Sequence, residues 1–331
     1  EIRMAFKVGS GSLQFELVEG WEQLPAGFNH PDVAAVSTDS DGNVYLFCRA
    51  EHPVMIYDRD GRFLDSWGEG QFSPRPHGMF IDAEDFVYLV DDSDHTARKY
   101  TKDGKLLMQL GVSGQPSDTG YAPPSGPVLY GGPPFNRPTN MVPHPNGSLY
   151  VSDGYGNCRI HRFTQGGELL ESWGDPGSGP RQFICPHGIW VHNDGRLFVS
   201  DRENDRLQIF SPEGNFLAEW TDVQRPQDVY IDKDGLVYVG ELVRFPGEVT
   251  PRNGQVTDML PSRISIFDPT GNLLLRWGGV DAVMPGNFVA PHDIWLDRDG
   301  SIYLAEVTFT IGVRPGRVPA DTHTFQKFAR I

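Results

Sequence analysis

The sequence predicts an all-β fold, a closed six-bladed β-propeller, and three observations carry the prediction. A hairpin-like segment recurs six times, each copy supplies four strands, and the one strand missing from the last copy reappears near the N-terminus.

The six copies align on a proline, a hydrophobic strand, a turn built on "DG" or a near variant, and a second strand. They read "HPDVAAVSTDSDGNVYLFCRA" (30–50), "RPHGMFIDAEDFVYLVDDS" (75–93), "RPTNMVPHPNGSLYVSDGY" (137–155), "CPHGIWVHNDGRLFVSDRE" (185–203), "RPQDVYIDKDGLVYVGELV" (225–243) and "APHDIWLDRDGSIYLAEVT" (290–308). Apolar and polar residues alternate on both sides of each turn, the pattern of a β-hairpin. A third strand follows in every copy. A fourth, ending in an aromatic or apolar residue, follows in five: "RFLDSWG", "KLLMQLG", "ELLESWG", "NFLAEW" and "NLLLRWG". The last copy stops at "FQKFARI", while "ELVEGW" (16–21) has the form of the missing strand. An N-terminal strand completing the last blade closes the ring and removes the free edges of an open array. One domain over 1–331 follows, with no helix signal. Two insertions break the period, 112–136 and 244–261, and long loops on a rigid scaffold often carry function.

Composition sets outer limits. Gly (38) and Pro (27) are abundant, as a turn-rich fold requires, and no apolar run approaches the roughly 18 residues of a membrane helix. The net charge of −16 repels nucleic acid and anionic lipid, so neither is expected as a partner. Cys48, Cys158 and Cys185 form no CxxC pair and at most one disulfide. Beginning at Glu1, the sequence sets no compartment.

The residue after the anchoring proline is Asp32, His77, Thr139, His187, Gln227 and His292 in turn. Histidine falls in blades two, four and six, about 120° apart in a six-bladed ring. The segment entering each innermost strand lies near the axis, so these three imidazoles converge. A lone histidine in a loop is usually a packing residue, but three at symmetric alternate positions, with other residue types between, point to metal ligation. Three His with a fourth position open is the donor set of a catalytic zinc, and other divalent transition metals also accept imidazole. The remaining histidines fall at unrelated repeat positions. The acids Asp91, Asp153, Asp201, Glu241 and Glu306 recur after the second strand and read as hydrogen-bond acceptors for turns.

These residues resemble NHL-type propeller repeats, and more specifically the peptidyl-α-hydroxyglycine α-amidating lyase domain of peptidylglycine amidating enzymes. The resemblance rests on "FCRA" (47–50), "PHGM" (76–79), "VSDGYGNCRI" (151–160), "PHGIW…VSDRENDRLQIF" (186–210) and "PHDIW" (291–295). It implies catalytic roles for Arg49 and Tyr155, zinc on His77, His187 and His292, and a structural calcium on Asp293 with backbone oxygens of Val36 and Met79. It implies a small-molecule or peptide-terminal substrate. This chain departs from that family at Ala290, where the family has a methionine, and at Gly156, where it has a cysteine. The segments 244–261 and 309–322 are also its own.

The implied reaction splits a carbinolamide, an N-acyl-α-hydroxyglycine, into an amide and glyoxylate. A metal held by neutral imidazoles keeps its +2 charge and acidifies a bound hydroxyl. Tyr155 is placed as base and Arg49 as the cation for a carboxylate or oxyanion. Arg202 shares the repeat position of Arg49, which weakens the special claim of either from sequence alone. Three readings stay open: this metal-dependent lyase, a metallohydrolase using metal-bound water on the same scaffold, and a binding propeller without catalysis. A calcium-dependent lactonase site is disfavoured, because the entry ring offers only Asp32 and Gln227 in place of several carboxylates.

Overall fold

In the computed structural model, which describes residues 6–124 and 126–331, six four-stranded antiparallel units follow one another around a ring. Residues 1–5 and 125 of the predicted domain and of the 112–136 insertion lie outside the described residues. In the first five blades the sheet runs from an inner strand to an outer one in chain order. Blade 1 holds Val33–Thr38, Val44–Cys48, Val54–Tyr57 and Phe63–Trp67. The inner strands of the other blades are Pro76–Ile81, Asn140–Pro143, Pro186–Val191, Pro226–Ile231 and Pro291–Leu296.

The last blade takes its outer strand from the N-terminus. Leu13–Leu17 pairs with Phe325–Arg330, with Leu17 opposite Phe328, and Lys7–Ser10 adds a fifth strand outside it. The ladder therefore begins earlier than the "ELVEGW" pattern suggests and ends just past its start. Gly20 turns the chain with φ +65°, which stops regular pairing after the Val18 amide bonds Lys327 O at 2.9 Å. Trp21 nevertheless occupies the place its motif predicts. It packs on Tyr57 of the next blade with ring centroids 5.9 Å apart, as Trp67 packs on Tyr100 at 5.2 Å and Trp220 on Phe267 at 5.9 Å.

The recurring acids act as the sequence suggests. Asp91, Asp153, Asp201, Glu241 and Glu306 each accept a backbone N–H from the segment leading into the inner strand, from Ser73, Asn136, Ile184, Gln224 and Val289 respectively. These bonds fix how each inner strand approaches the axis. Blade 1 breaks the column, because Cys48 stands there, pairing with Val33. That pairing corrects the sequence alignment: Val33, not Pro31, is the residue equivalent to the anchoring prolines, so Ala34 and not Asp32 faces the axis. The two helical turns, Arg202–Asn204 and Phe309–Val313, are also absent from the strand-only expectation. Both sit in connections, where no amphipathic period exists to announce them. All three cysteines are free and buried.

A polar latch supports the closure. His30 meets Glu22 at 2.7 Å and Thr324, beside the last strand, at 2.8 Å. Burial disfavours the imidazolium, but the Glu22 hydrogen bond and charge outweigh it and raise the His30 pKa. A raised histidine pKa contributes stability that is complete below the unfolded value, about 6.5, and is lost as pH rises through the folded value. The melting-temperature advantage of the native protein over His30→Gln is thus expected to shrink as pH rises from about 5.5 to about 8. An advantage that grows over that range would contradict the latch.

Candidate metal centre

In the three histidine-bearing blades, the proline that opens the inner strand starts a bulge. Pairing jumps from Pro76 to Met79, from Pro186 to Ile189 and from Pro291 to Asp293. The bulge lets a histidine and the residue three places on both face the axis. Gly78 and Gly188 permit this closeness: a Cβ on Gly78 would come within 2.5 Å of Thr139 O, and one on Gly188 within 2.4 Å of Asp228 Oδ1. The residues three places on, Phe80, Trp190 and Trp295, meet one another with all centroids 5.5 Å apart. This aromatic plug fills the channel beneath the histidines and leaves the opposite side as their approach.

His77, His187 and His292 converge as the spacing predicts. Their ring centroids lie 4.6–4.9 Å apart, and their ligand atoms lie within 4.8 Å of one another. All three are buried. Each Nδ1–H donates to a backbone carbonyl of the neighbouring blade: Thr139 O at 2.6 Å, Gln227 O at 2.8 Å and Ala34 O at 2.6 Å. A carbonyl can only accept, so the tautomer is fixed and every Nε2 lone pair faces inward, the outer-shell arrangement of metal-bound histidine. Burial comes first in holding all three pKa values well below the usual one, with arginine charges adding to it at every ring and imidazole neighbours adding at His77 and His187, so the rings are neutral donors. His292 Nε2 is buried without a hydrogen-bond partner. An orphaned lone pair at the centre of a three-imidazole ring fits a transition-metal ion.

Tyr155 stands over this ring. Its hydroxyl is 3.1 Å from both His77 Nε2 and His187 Nε2, and Arg202 donates to it at 3.3 Å. One phenolic proton cannot satisfy both nitrogens. The guanidinium carbons of Arg75, Arg137 and Arg202 lie 5.9, 4.9 and 5.1 Å from its ring centroid. Arg49 reaches the same mouth, donating from Nε to Pro76 O at 3.1 Å and pairing with Asp32 at 3.3 Å. Burial and the Arg75 charge lower its pKa, partly offset by Asp32. Asp92 holds Arg75 at 2.8 Å and Arg137 at 3.1 Å, and although burial opposes its charge, those two cations keep its carboxyl below the usual range. Glu203, likewise opposed by burial, is pulled to about 2 by Arg202, Arg225 and Arg244.

The structure thus brings Arg49 and Tyr155 to the triad and adds Arg202, Arg75 and Arg137, which the repeat pattern did not single out. Arg202 is the repeat equivalent of Arg49, and both point into one mouth from opposite blades. Asp32 turns outward to Arg49. Below the triad, Asp293 accepts the Val36 amide at 2.9 Å. Val36 thus meets Asp293 through its N–H, and Met79 packs in the core between blades 1 and 2. Asp228 lies against Asp293. Burial raises both carboxyl pKa values, Asp228 to about 6 although its hydrogen bond to Asp293 opposes the rise, and the Asp228 charge and hydrogen bond raise Asp293 further. Asp228 Oδ1 is buried and unpartnered, and a cavity of about 10 Å³ separates this pair from the histidines. The other histidines are structural: His161 bonds Asp153 and Ser172, and His144 bonds Gly195 O.

Fold and site together define a closed six-bladed propeller with a three-histidine centre under an arginine-lined mouth. Residues 183–210 match the NHL repeat family model. The chain is 28% identical over 88% of its length to NHL repeat-containing protein 3 of Mus musculus, covering 81% of that protein. It is 27% identical over 86% of its length to peptidylglycine alpha-amidating monooxygenase of Rattus norvegicus, covering 32% of it. To peptidyl-alpha-hydroxyglycine alpha-amidating lyase 1 of Drosophila melanogaster it is 28% identical over 83% of its length, covering 55% of that protein. A solved streptogramin B lyase shares the fold at a TM-score of 0.59 and 15% identity, covering 97% of this chain and 99% of its own. The chain is therefore a propeller carrying an NHL repeat, and it resembles the amidating lyases over most of its length.

Proposed function

We propose that this chain is a zinc-dependent lyase that splits an N-acyl-α-hydroxyglycine, or a closely related carbinolamide, into the primary amide and glyoxylate. The observation that carries the reading is Tyr155, whose hydroxyl touches two metal-facing imidazole nitrogens and an arginine at once. His77, His187 and His292 would hold the metal, which when bound supplies a +2 charge for the oxyanion that develops from the substrate hydroxyl.

The remaining work falls to this chain's side chains. Arg49 and Arg202 hold the substrate carboxylate at the mouth, since fixed guanidinium forks suit a planar anion. Tyr155, acting as the phenolate with its own proton already lost to solvent, accepts the hydroxyl proton. The C–N bond breaks as the C–O bond becomes a carbonyl, and the proton passes to the departing amide nitrogen. No water is consumed, and the aromatic plug closes the channel from the other side. Calcium is a second proposed cofactor, at Asp293 with the backbone of Val36 and Met79. The unpartnered Asp228 oxygen supports it, because a cation there would neutralise two buried carboxylates.

Tyr155→Phe is expected to retain the metal and the fold and to lower glyoxylate release by about a hundredfold, the scale of lost general-base catalysis. Arg49→Lys is expected not to rescue the loss seen in Arg49→Ala, because a point charge lacks the planar fork. Full turnover by Tyr155→Phe would remove the base assignment and leave the metal site standing.

A further inference from the structure

The insertion 244–261 and the segment 309–322 meet beside the mouth and line a second cavity of about 170 Å³. Its walls are mostly apolar, built from Val243, Phe245, Met259, Val289, Ile311 and Val318, with Ser262, Asp281 and Arg317 as the polar residues lining it. They are also closely built. A Cβ on Gly312 would come within 2.6 Å of Val318 and 2.7 Å of Val289. Arg317 lies 3.8 Å over the Phe245 ring and donates to Ile311 O at 3.0 Å. Around the cavity, Val280 is 70% exposed and Val283 39%, and Phe309 is 41% exposed, an apolar rim left open by the described residues.

Three walls are tied to the catalytic mouth. Ile311 follows Thr310, whose amide bonds Asp32 at 3.0 Å and whose hydroxyl accepts from Arg49 at 3.3 Å. Val243 O accepts from Arg225 at 3.2 Å, and Arg225 shares Glu203 with Arg202. Val289 precedes His292 by three residues, and its carbonyl accepts from Ser262, which also holds the Val243 amide.

We propose that this cavity is the subsite for the apolar acyl group of the substrate, an aromatic ring or a chain of up to about six carbons, the size that a dry cavity of about 150 Å³ accepts. The inference rests on the lyase reading for its substrate class. It assigns to the segments 244–261 and 309–322 the choice of acyl group, while the arginines hold the glycine carboxylate. Affinity gained per buried methylene is about threefold, so a hexanoyl group is favoured over an acetyl group by about a hundredfold.

The test compares N-hexanoyl- with N-acetyl-α-hydroxyglycine in kcat/KM, and N-hexanoylglycine with N-acetylglycine in Kd by calorimetry, on zinc-loaded protein. Both ratios are expected near a hundred. Ala282→Trp, which fills the cavity from its rim, and Val283→Asp, which charges an exposed rim position, are each expected to bring the ratios below about ten. Ratios near one in the native protein, or ratios unchanged in both variants, overturn the subsite and leave the lyase reading intact. A hundredfold binding preference with no glyoxylate from either substrate upholds the subsite and removes the lyase reading instead.

Discussion

His187→Ala is expected to bind no zinc at concentrations that load the native protein with about one equivalent, and to release glyoxylate at the uncatalysed rate. His77→Ala and His292→Ala should behave alike. The expectation follows from the way each ring is held. Every Nδ1–H is committed to a carbonyl of the next blade, so the three Nε2 atoms face one point without further ordering. With one ring gone, the remaining two form an incomplete donor set, and no carboxylate stands among the grouped ligand atoms to replace it. His192→Ala is the control. That ring packs on Phe198 and bonds Asp194, away from the axis, and its loss should leave the zinc in place. A His187→Ala protein with a full equivalent of zinc would remove that residue from the site.

Deleting residues 1–22 is expected to abolish cooperative folding. The deletion removes Phe15, Leu17 and Trp21, all buried, and Trp21 also donates to Arg59 O at 3.0 Å across the closure. Loss of a large buried side chain costs about 2–5 kcal/mol, so three together rival the whole stability of a typical domain, about 5–15 kcal/mol. The edge of the Phe325–Arg330 strand would be exposed as well, with its ladder partners gone. Phe15→Ala alone should cost about 3–5 kcal/mol in denaturant unfolding. A truncated protein with an unchanged melting temperature would contradict ring closure by this strand.

The propeller and the triad were legible because both are periodic. Copies of one strand pattern betray the blades, and "PHGMF", "PHGIW" and "PHDIW" betray the axis. The same three motifs also spell the plug of Phe80, Trp190 and Trp295, legible once the bulge that turns a +3 residue inward is known. Blade 1 was misaligned because Pro31 imitates an anchoring proline, whereas the ladder starts at Val33 opposite Cys48. Arg202 was discounted for sharing a repeat position with Arg49, yet rotation about the axis aims equivalent positions at one centre. Arg75 and Arg137 precede the anchoring prolines, as Arg225 does in blade 5, and this recurring "RP" was a signal the sequence reading passed over. The insertion 244–261 was located by its break in the period, but the apolar cavity it forms with 309–322 arises from contacts between segments about fifty residues apart, for which a single sequence holds no pattern.

The most direct test of the account is analysis of the acyl product formed from an N-acyl-α-hydroxyglycine by zinc-loaded protein, before and after chelation. The account predicts primary amide and glyoxylate in equal amounts, a rate that falls to the uncatalysed value when the metal is removed, and recovery on restoring zinc. A free carboxylic acid as the acyl product, or a rate indifferent to chelation, would contradict it.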